Sequence, residues 1–299
     1  MLGRASPISW CILSAALFGA STPLAKQLLD ATGPFTLAGL LYLGAAIAVV
    51  PFSLRGGSRA RFRQRAHVAH LGGAILFGGI AGPALLLFGL QHAQAASVSL
   101  WLNLETVATA LLAWLFFREH LGARTWAAAA LVVAAGALLA FPFDAGSLSA
   151  ATLVALACAC WGLDNNHTAL LDGVTPAQAT LVKGCIAGAV NLVVGLAVEG
   201  TPTAANVATA LAVGSLGYGV SIMLYIKGAQ HLGATRSQLL FATAPLWGVA
   251  LAWGATVLTL RRPVTMLGLA KSKASNISGK LLRNTGAYTL RRGSSYEKS

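Results

Sequence analysis

The stretch GLQHAQAASVSLWLNLETVATALLAW (89–114) decides the fold, because a second stretch of the chain repeats its pattern. It aligns without gaps on GAQHLGATRSQLLFATAPLWGVALAW (228–253), and eight positions are identical at an offset of 139 residues. LFG (17–19) echoes CWG (160–162) at the similar offset of 143 residues. Self-similarity at a nearly constant spacing indicates a duplicated unit of about 140 residues.

The composition predicts that this duplicated unit lies in lipid. Apolar residues make up 56% of the 299 residues, charged residues make up 10%, and the mean hydropathy is +0.71. A soluble protein of this length needs more surface charge, and apolar runs long enough to cross a bilayer recur along the chain. Lipid cannot hydrogen-bond a bare backbone, so each run is expected to be helical.

Nine apolar runs are predicted to span the membrane. They cover approximately residues 8–29, 35–54, 70–90, 95–117, 124–142, 149–170, 177–197, 207–227 and 237–257. A unit of about 140 residues holds five spans, and five is odd, so the second copy is expected to be inverted relative to the first. Inverted repeats are typical of secondary transporters, in which the substrate binds near the midplane between the repeats. A duplication that serves stability alone is the alternative.

The loop charges predict the orientation. Gap 55–69 holds five arginines, and gaps 118–124 and 228–236 each contain or adjoin two basic residues. The gaps on the other side of the membrane contain no Lys or Arg, namely 30–34, 91–94, 143–148 and 198–206. Basic loops stay in the cytoplasm, so we expect a cytoplasmic N-terminus in a bacterial-type inner membrane. Gap 171–176 is an exception, because it holds only Asp172. The net charge of +13 is spread over loops and tail, which favours membrane lipid as a partner over nucleic acid.

The stretch CWGLDNNHTALL (160–171) places Asp164, Asn165 and Asn166 in the predicted sixth span. Lys183 lies at a similar depth in the seventh span, so an ion pair with Asp164 is predicted, because a lone charge in a bilayer costs at least about 2.5–3.5 kcal/mol. The two asparagines are separated by about 100° on a helix. One is therefore expected to face a cavity and the other a neighbouring helix.

Glu105 lies near the midplane of the predicted fourth span, close to Trp101 and Asn103. Its partner in the second repeat is Ala244, and Pro245 follows, which predicts a kink there. We interpret Glu105 and Asp164 as lining a central cavity, where carboxylates could exchange protons or bind cationic groups. The structural alternative is an interhelical hydrogen bond or ion pair. The candidate cavity residues are Trp101, Asn103, Glu105, Asp164, Asn165, Asn166, Lys183 and Pro245.

Other chemistry is not predicted. The sequence contains no CxxC, no GxxxxGK[ST] and no HExxH pattern. Neither a metal site, nor a nucleotide cofactor, nor a catalytic centre is therefore expected, and the chain is not predicted to be an enzyme.

The chain resembles the EamA-domain branch of the drug/metabolite transporter superfamily over about residues 8–270. The resemblance rests on ALFGASTPLAKQLL, on SLWLNLETVATALLAWLFFREHLGARTWAAAALVVAAGALL and on ATRSQLLFATAPLWGVALAW. It implies an all-α polytopic membrane protein with two inverted five-helix EamA-type repeats and cytoplasmic termini. It further implies a secondary transporter that exports small metabolites or drugs by alternating access. The substrate, any proton coupling and the oligomeric state stay open.

The chain departs from this pattern after Trp253. The continuation GATVLTLRRPVTMLGLA (254–270) lacks an acidic counterpart to Glu119, and 271–299 is basic and polar. We therefore expect a first repeat at 8–142, an incomplete second repeat without a tenth helix at 149–270, and a disordered tail at 271–299. Loss of the tenth helix by frameshift or rearrangement would leave an inactive transporter remnant. The other possibility is a regulatory tail that binds anionic lipid.

Overall fold

The computed structural model describes residues 6–55, 65–118, 121–139, 145–171, 174–232 and 234–261, and every secondary-structure element in these ranges is helical. The helices are α1 (Pro7–Thr32), α2 (Pro34–Arg55), α3 (Arg65–Gly73), α4 (Gly82–Gln91), α5 (Ala95–Trp101), α6 (Leu104–Phe116), α7 (Ala123–Leu139), α8 (Ala145–Ala169), α9 (Pro176–Val198), α10 (Ala204–Val213), α11 (Ser221–Leu232), α12 (Ala234–Phe241) and α13 (Ala244–Arg261). The chain divides into two compact units, 1–253 and 254–299. The described part of the second unit is the end of α13.

Seven helical stretches in the described residues are long and apolar enough to cross a membrane. They are Pro7–Thr32, Pro34–Leu54, His67–Gln91, Ala95–Phe116, Leu148–Ala169, Pro176–Val198 and Ala204–Leu232. They correspond to seven of the nine predicted spans, and the prediction of an all-α polytopic membrane protein is confirmed. The two other predicted spans correspond to α7, whose described part has 17 residues, and to the pair α12 and α13.

The helix starts follow from local sequence. Ser6 precedes Pro7, and its hydroxyl accepts a hydrogen bond from the Ser9 backbone N–H at 3.3 Å. Thr175 precedes Pro176 in the same way and forms a capping box with Gln178. Proline suits the first helical turn because its missing N–H would have no partner there. These caps fix where α1 and α9 begin.

The start of α2 is capped by a residue that is distant in sequence. Glu199, at the end of α9, accepts hydrogen bonds from the backbone N–H groups of Phe35 and Thr36 at 2.9 and 2.8 Å. The turn before α2 needs Gly33, because its φ is 72° and a side chain there would strike the Glu199 carboxylate. A carboxylate at a helix N-terminus stabilises the free N–H groups and the helix dipole.

Helix α9 packs closely along α2. A Cβ atom on Gly184 would lie 2.7 Å from the Tyr42 carbonyl oxygen, and one on Gly188 would lie 2.8 Å from the Leu43 side chain. The two glycines are four residues apart and therefore share one face of α9. Small residues at this spacing let two membrane helices approach, since lipid supplies no hydrophobic driving force between them.

Two kinds of irregularity occur twice, about 140 residues apart. A π-helical segment at Ala74–Ala81 joins α3 to α4, and a second at Gly214–Val220 joins α10 to α11. Helix α5 breaks from α6 at 102–103, and α12 breaks from α13 at 242–243. π-helical turns inside α-helices are often found at functional sites. The kink predicted near Pro245 corresponds to the second break.

Several predictions fall outside the described residues. These are the tail at 271–299, the short run 263–270 and the side chain of Glu119. The repeat boundaries 8–142 and 149–270, and the loss of a tenth helix, therefore stay predictions.

Candidate functional site

A cavity inside the helical bundle collects side chains from α1, α2, α6, α8, α9, α11, α12 and the second π-helical segment. It encloses about 550 Å³ of empty space, counting its open mouth. Its lining residues are Phe18, Tyr42, Glu105, Trp161, Asp164, Asn165, Thr168, Lys183, Tyr218, Ile222, Tyr225, Ile226 and Phe241. The lining is thus mostly aromatic and aliphatic, with a smaller group of charged and polar side chains, which is the usual composition of a small-molecule site.

One face of α8 supplies much of this lining. Trp161, Asp164, Asn165 and Thr168 follow one another at intervals of three, one and three residues, so they lie on one side of a helix. The polar cluster of the 160–171 stretch is therefore divided. Asn165 faces the cavity, while Asn166 donates to the Thr109 carbonyl at 3.1 Å and the Gly162 carbonyl at 2.8 Å.

Asp164 and Lys183 form the predicted ion pair. The Lys183 ammonium donates to both carboxylate oxygens of Asp164 at 2.5 and 2.6 Å. Thr168 adds a hydroxyl hydrogen bond to the same carboxylate at 3.1 Å. The Lys183 and Asp164 side chains are 5% and 11% exposed. Charges this deeply buried are costly unless they are paired and hydrogen-bonded, and this pair meets both conditions.

Glu105 occupies the first turn of α6, directly after the break at 102–103. Glu105 is 7% exposed, and its Oε1 accepts a hydrogen bond from the Asn165 amide at 2.9 Å. Among the described residues no Lys, Arg or His lies within salt-bridge distance of it, since the ion pair of Asp164 and Lys183 is the sole one found there. The free N–H groups at the start of α6 favour a negative charge at this position.

A short hydrogen-bonded series continues from Glu105 to the second half of the chain. The Asn165 amide lies 3.5 Å from the Gln238 side-chain oxygen, and the Tyr225 hydroxyl donates to that oxygen at 2.7 Å. Gln238 and Tyr225 belong to α12 and α11. The cavity polar groups therefore connect elements from both halves of the sequence.

Three predicted residues lie close to the cavity without lining it. Trp101 and Asn103 are buried at the end of α5, where the Asn103 amide donates to the Leu100 carbonyl at 2.9 Å. Pro245 is the second residue of α13, after the break at 242–243. These residues shape the two breaks and do not contact the cavity volume.

The aromatic walls were missed by the sequence analysis. Phe18 lies 5.8 Å from Trp161, 5.5 Å from Tyr218 and 5.3 Å from Phe241, measured between ring centroids. The repeat carried a signal for two of them, because the echo of LFG by CWG aligns Phe18 with Trp161. The others stand on single helices with no charged neighbour, and sequence alone does not separate them from core residues.

The first π-helical segment contributes a backbone acceptor. The Gly78 carbonyl accepts hydrogen bonds from the Tyr42 hydroxyl at 2.5 Å and from the Trp161 indole at 3.1 Å. A Cβ atom on Gly78 would strike the Asp164 carboxylate. The absence of a side chain at Gly78 therefore lets the charged pair approach the π-helical backbone.

Polar contacts near both ends of the bundle join elements that surround the cavity. Towards the end of α1, the Lys26 ammonium donates to the Leu90 carbonyl of α4 at 2.5 Å. At the opposite end, Nδ1 of His70 on α3 lies 3.0 Å from Nδ1 of His167 on α8. His167 is one residue before the cavity residue Thr168.

Comparison with known proteins agrees with this architecture. Residues 5–141 match the model of the EamA-like transporter family. An uncharacterised transporter of Methanothermobacter thermautotrophicus (strain Delta H) is 26% identical over 305 aligned positions, which cover 93% of this chain and 84% of that protein. A crystal structure aligns with a TM-score of 0.68 at 19% identity, covering 90% of this chain and 95% of the other, and this likeness concerns the fold alone. Residues 5–141 of this multi-pass membrane protein are therefore similar to the EamA-like transporter family.

Proposed function

We propose that the chain is a secondary transporter that exports small metabolites or drugs across the cytoplasmic membrane, with its N-terminus in the cytoplasm. The substrate binds in the central cavity, and alternating access exposes it to one side at a time. The observation that carries this proposal is Glu105, a buried carboxylate that faces a cavity at a helix break and has no cationic partner among the described residues. Ionisable groups inside membrane helices are costly and mark substrate or ion pathways.

The broken helices support the same function. Transporter sites are commonly built where membrane helices are interrupted near the midplane. Here Glu105 follows the break between α5 and α6, and Phe241 ends α12 at the other break, so both breaks contribute to one cavity. Membrane helices that serve stability alone are not expected to interrupt their backbone hydrogen bonds at two equivalent places, since each interruption leaves polar groups to be satisfied.

The inverted repeat gives the motion. The two π-helical segments and the two breaks recur at about the repeat spacing, so both repeats have irregular backbone at equivalent places. Rocking of one repeat against the other would make and release the His70–His167 contact, because His70 belongs to the first repeat and His167 to the second. Basic loop residues favour the cytoplasm for the end that carries His70.

A proton is the simplest coupling ion. Glu105 is the cavity carboxylate that is free of an ion pair among the described residues, so it is the group on which a proton and a substrate could compete. Asp164 is already held by Lys183 through both of its carboxylate oxygens. On this proposal no cofactor takes part, and the protein is a transporter and not an enzyme.

An inactive transporter remnant is the alternative function. It rests on the sequence after Trp253, where the tenth span is expected to be missing, and residues 262–299 of that region lie outside the described residues. A remnant would keep the folded cavity and move nothing.

Vesicle transport separates the two possibilities. Purified protein would be reconstituted into proteoliposomes loaded with a defined mixture of amino acids, nucleosides, polyamines and organic cations, and efflux would be followed by mass spectrometry. Glu105→Gln keeps the size of the side chain and removes its charge. Glu199→Gln is the matched control, because that carboxylate caps α2 and does not line the cavity.

Proteoliposomes with the wild-type protein are expected to release one class of compound faster than protein-free vesicles loaded with the same mixture. That release should be lost in Glu105→Gln and kept in Glu199→Gln. Release that is equal in the two variants would remove Glu105 from the mechanism. A folded protein that releases nothing under an imposed pH gradient of either sign would establish the remnant.

A further inference from the structure

We propose that the cavity binds a monovalent organic cation with an aromatic or alkyl body, with Glu105 as its counter-charge and an aromatic cluster as its wall. This inference rests on the transport function proposed above and names the substrate class of the same site.

The charges of the lining favour a cation. Asp164 and Lys183 neutralise each other through two contacts of 2.5 and 2.6 Å. Glu105 is left with neutral partners, the Asn165 amide being the closest at 2.9 Å. When Glu105 is ionised, these three charged side chains sum to one negative charge. A ligand with one positive charge offsets it, and it does so where the low-dielectric surroundings make the attraction strong.

The hydrogen-bond donors of the lining argue against an anion or a neutral acceptor. The Tyr42 hydroxyl and the Trp161 indole both donate to the Gly78 carbonyl, and the Tyr225 hydroxyl donates to Gln238. The ammonium of Lys183 is held by both oxygens of Asp164. An anion would have to break that pair to gain a cationic partner in the cavity, which leaves the buried Asp164 charge uncompensated.

The apolar wall favours an organic cation over a metal ion. Phe18, Phe241 and Tyr225 form a connected aromatic cluster, with ring centroids 5.3 Å apart for the first two and 5.1 Å apart for the last two. Aromatic rings attract cations through their quadrupole and bury large apolar groups. A small hydrated metal ion would gain little from such a wall and would lose its water.

A charge-matched set of probes tests the inference on the full-length protein in detergent. The probes are benzyltrimethylammonium, its uncharged isostere neopentylbenzene and the anion phenylmethanesulfonate, with tetraphenylphosphonium as a bulkier cation. Binding would be measured by isothermal titration calorimetry for wild type, Glu105→Gln, Glu105→Asp and Glu199→Gln. The charge-keeping Glu105→Asp variant guards against a Glu105→Gln protein that fails to fold.

The cations are expected to bind wild type and Glu199→Gln alike, at least tenfold more weakly to Glu105→Gln, and with intermediate strength to Glu105→Asp. Phe241→Leu is expected to weaken cation binding by about threefold to thirtyfold, the size of a cation–π contribution. Equal binding of the uncharged isostere, preferential binding of the anion, or cation binding that Glu105→Gln leaves unchanged would each overturn the inference.

The proteoliposome assay keeps this inference separate from the proposed function. Efflux of a neutral or anionic compound without cation binding would leave the transporter standing and overturn the substrate class. Cation binding through Glu105 without any efflux would leave the binding site standing and overturn transport. Neither binding nor efflux would overturn both.

Discussion

The pair α5 and α6 and the pair α12 and α13 break at equivalent places, yet their chemistry differs. The first break is followed by Glu105, while the second is followed by Ala244 and Pro245. The break was therefore retained in both halves, whereas the carboxylate is present in one. A backbone interruption can come from local turn geometry or from proline, but a buried charge needs a partner, a ligand or a cavity.

The two halves therefore contribute different groups to the cavity. The first break supplies the uncompensated charge of the cavity, and the second supplies Phe241 of the aromatic wall. The remaining charged pair, Asp164 and Lys183, is compensated within the bundle. A compensated pair should matter chiefly for stability, and a lone carboxylate chiefly for ligand binding. The four experiments below test that division.

Removing one member of the compensated pair should have the largest effect. In Lys183→Met the Asp164 carboxylate stays buried without its cation, and breaking a buried ion pair in this way costs about 3–5 kcal/mol. Unfolding of the purified protein in detergent would be followed by tryptophan fluorescence against denaturant. The double variant Asp164→Leu/Lys183→Met removes both charges and is expected to recover most of that loss. A Lys183→Met protein as stable as wild type would show that the pair is not structural.

Adding a carboxylate to the second break should have the next largest effect. Ala244 is 3% exposed, and its carbonyl lies against α1 where a Cβ atom on Gly19 would strike it. Ala244→Glu therefore buries a charge with no cavity beside it, at a cost of about 2.5–3.5 kcal/mol or more. Ala244→Gln is the matched control for side-chain volume. If both variants lost equal stability, the loss would come from the volume of the added side chain and not from its charge.

Several features of these elements could be predicted from the sequence. The apolar runs and the 139-residue offset predicted the helical bundle, the break near Pro245 and the pairing of Asp164 with Lys183. Such features follow from hydropathy and from the cost of a lone charge, both of which are local or pairwise. The division of Asn165 and Asn166 between cavity and helix contact was predicted from helical spacing, but not which residue took which role.

The aromatic wall could not be predicted in the same way. Phe18, Tyr218 and Phe241 come from three distant elements, and each has the sequence surroundings of an ordinary buried residue. They meet because α1, the second π-helical segment and α12 converge, and that convergence is set by packing over the whole bundle. The π-helical segments themselves also had no signature, since their apolar, glycine-rich sequence suits an α-helix equally well.

The two π-helical segments allow an intermediate effect to be compared. Gly78 and Gly217 are separated by the repeat offset, and a Cβ atom would strike the Asp164 carboxylate at the first and the Ser21 side chain at the second. Both alanine variants are expected to lose about 1–3 kcal/mol through overpacking. Gly78→Ala alone should also weaken ligand binding, because it displaces the charged pair. Equal ligand affinities in the two variants would show that the position of Asp164 does not shape the cavity.

The smallest effect on stability is expected for the lone carboxylate. Glu105→Gln keeps an oxygen that can accept the Asn165 amide hydrogen bond, and it removes a charge that has no cationic partner among the described residues. The unfolding free energy should change by less than about 1 kcal/mol, because the variant keeps the hydrogen bond and no charge has to be held in the membrane interior. The same denaturant titration as for Lys183→Met measures it. A loss as large as that of Lys183→Met would mean that Glu105 is held by the fold as tightly as the compensated pair, and the contrast between a structural pair and a ligand-binding carboxylate would no longer hold.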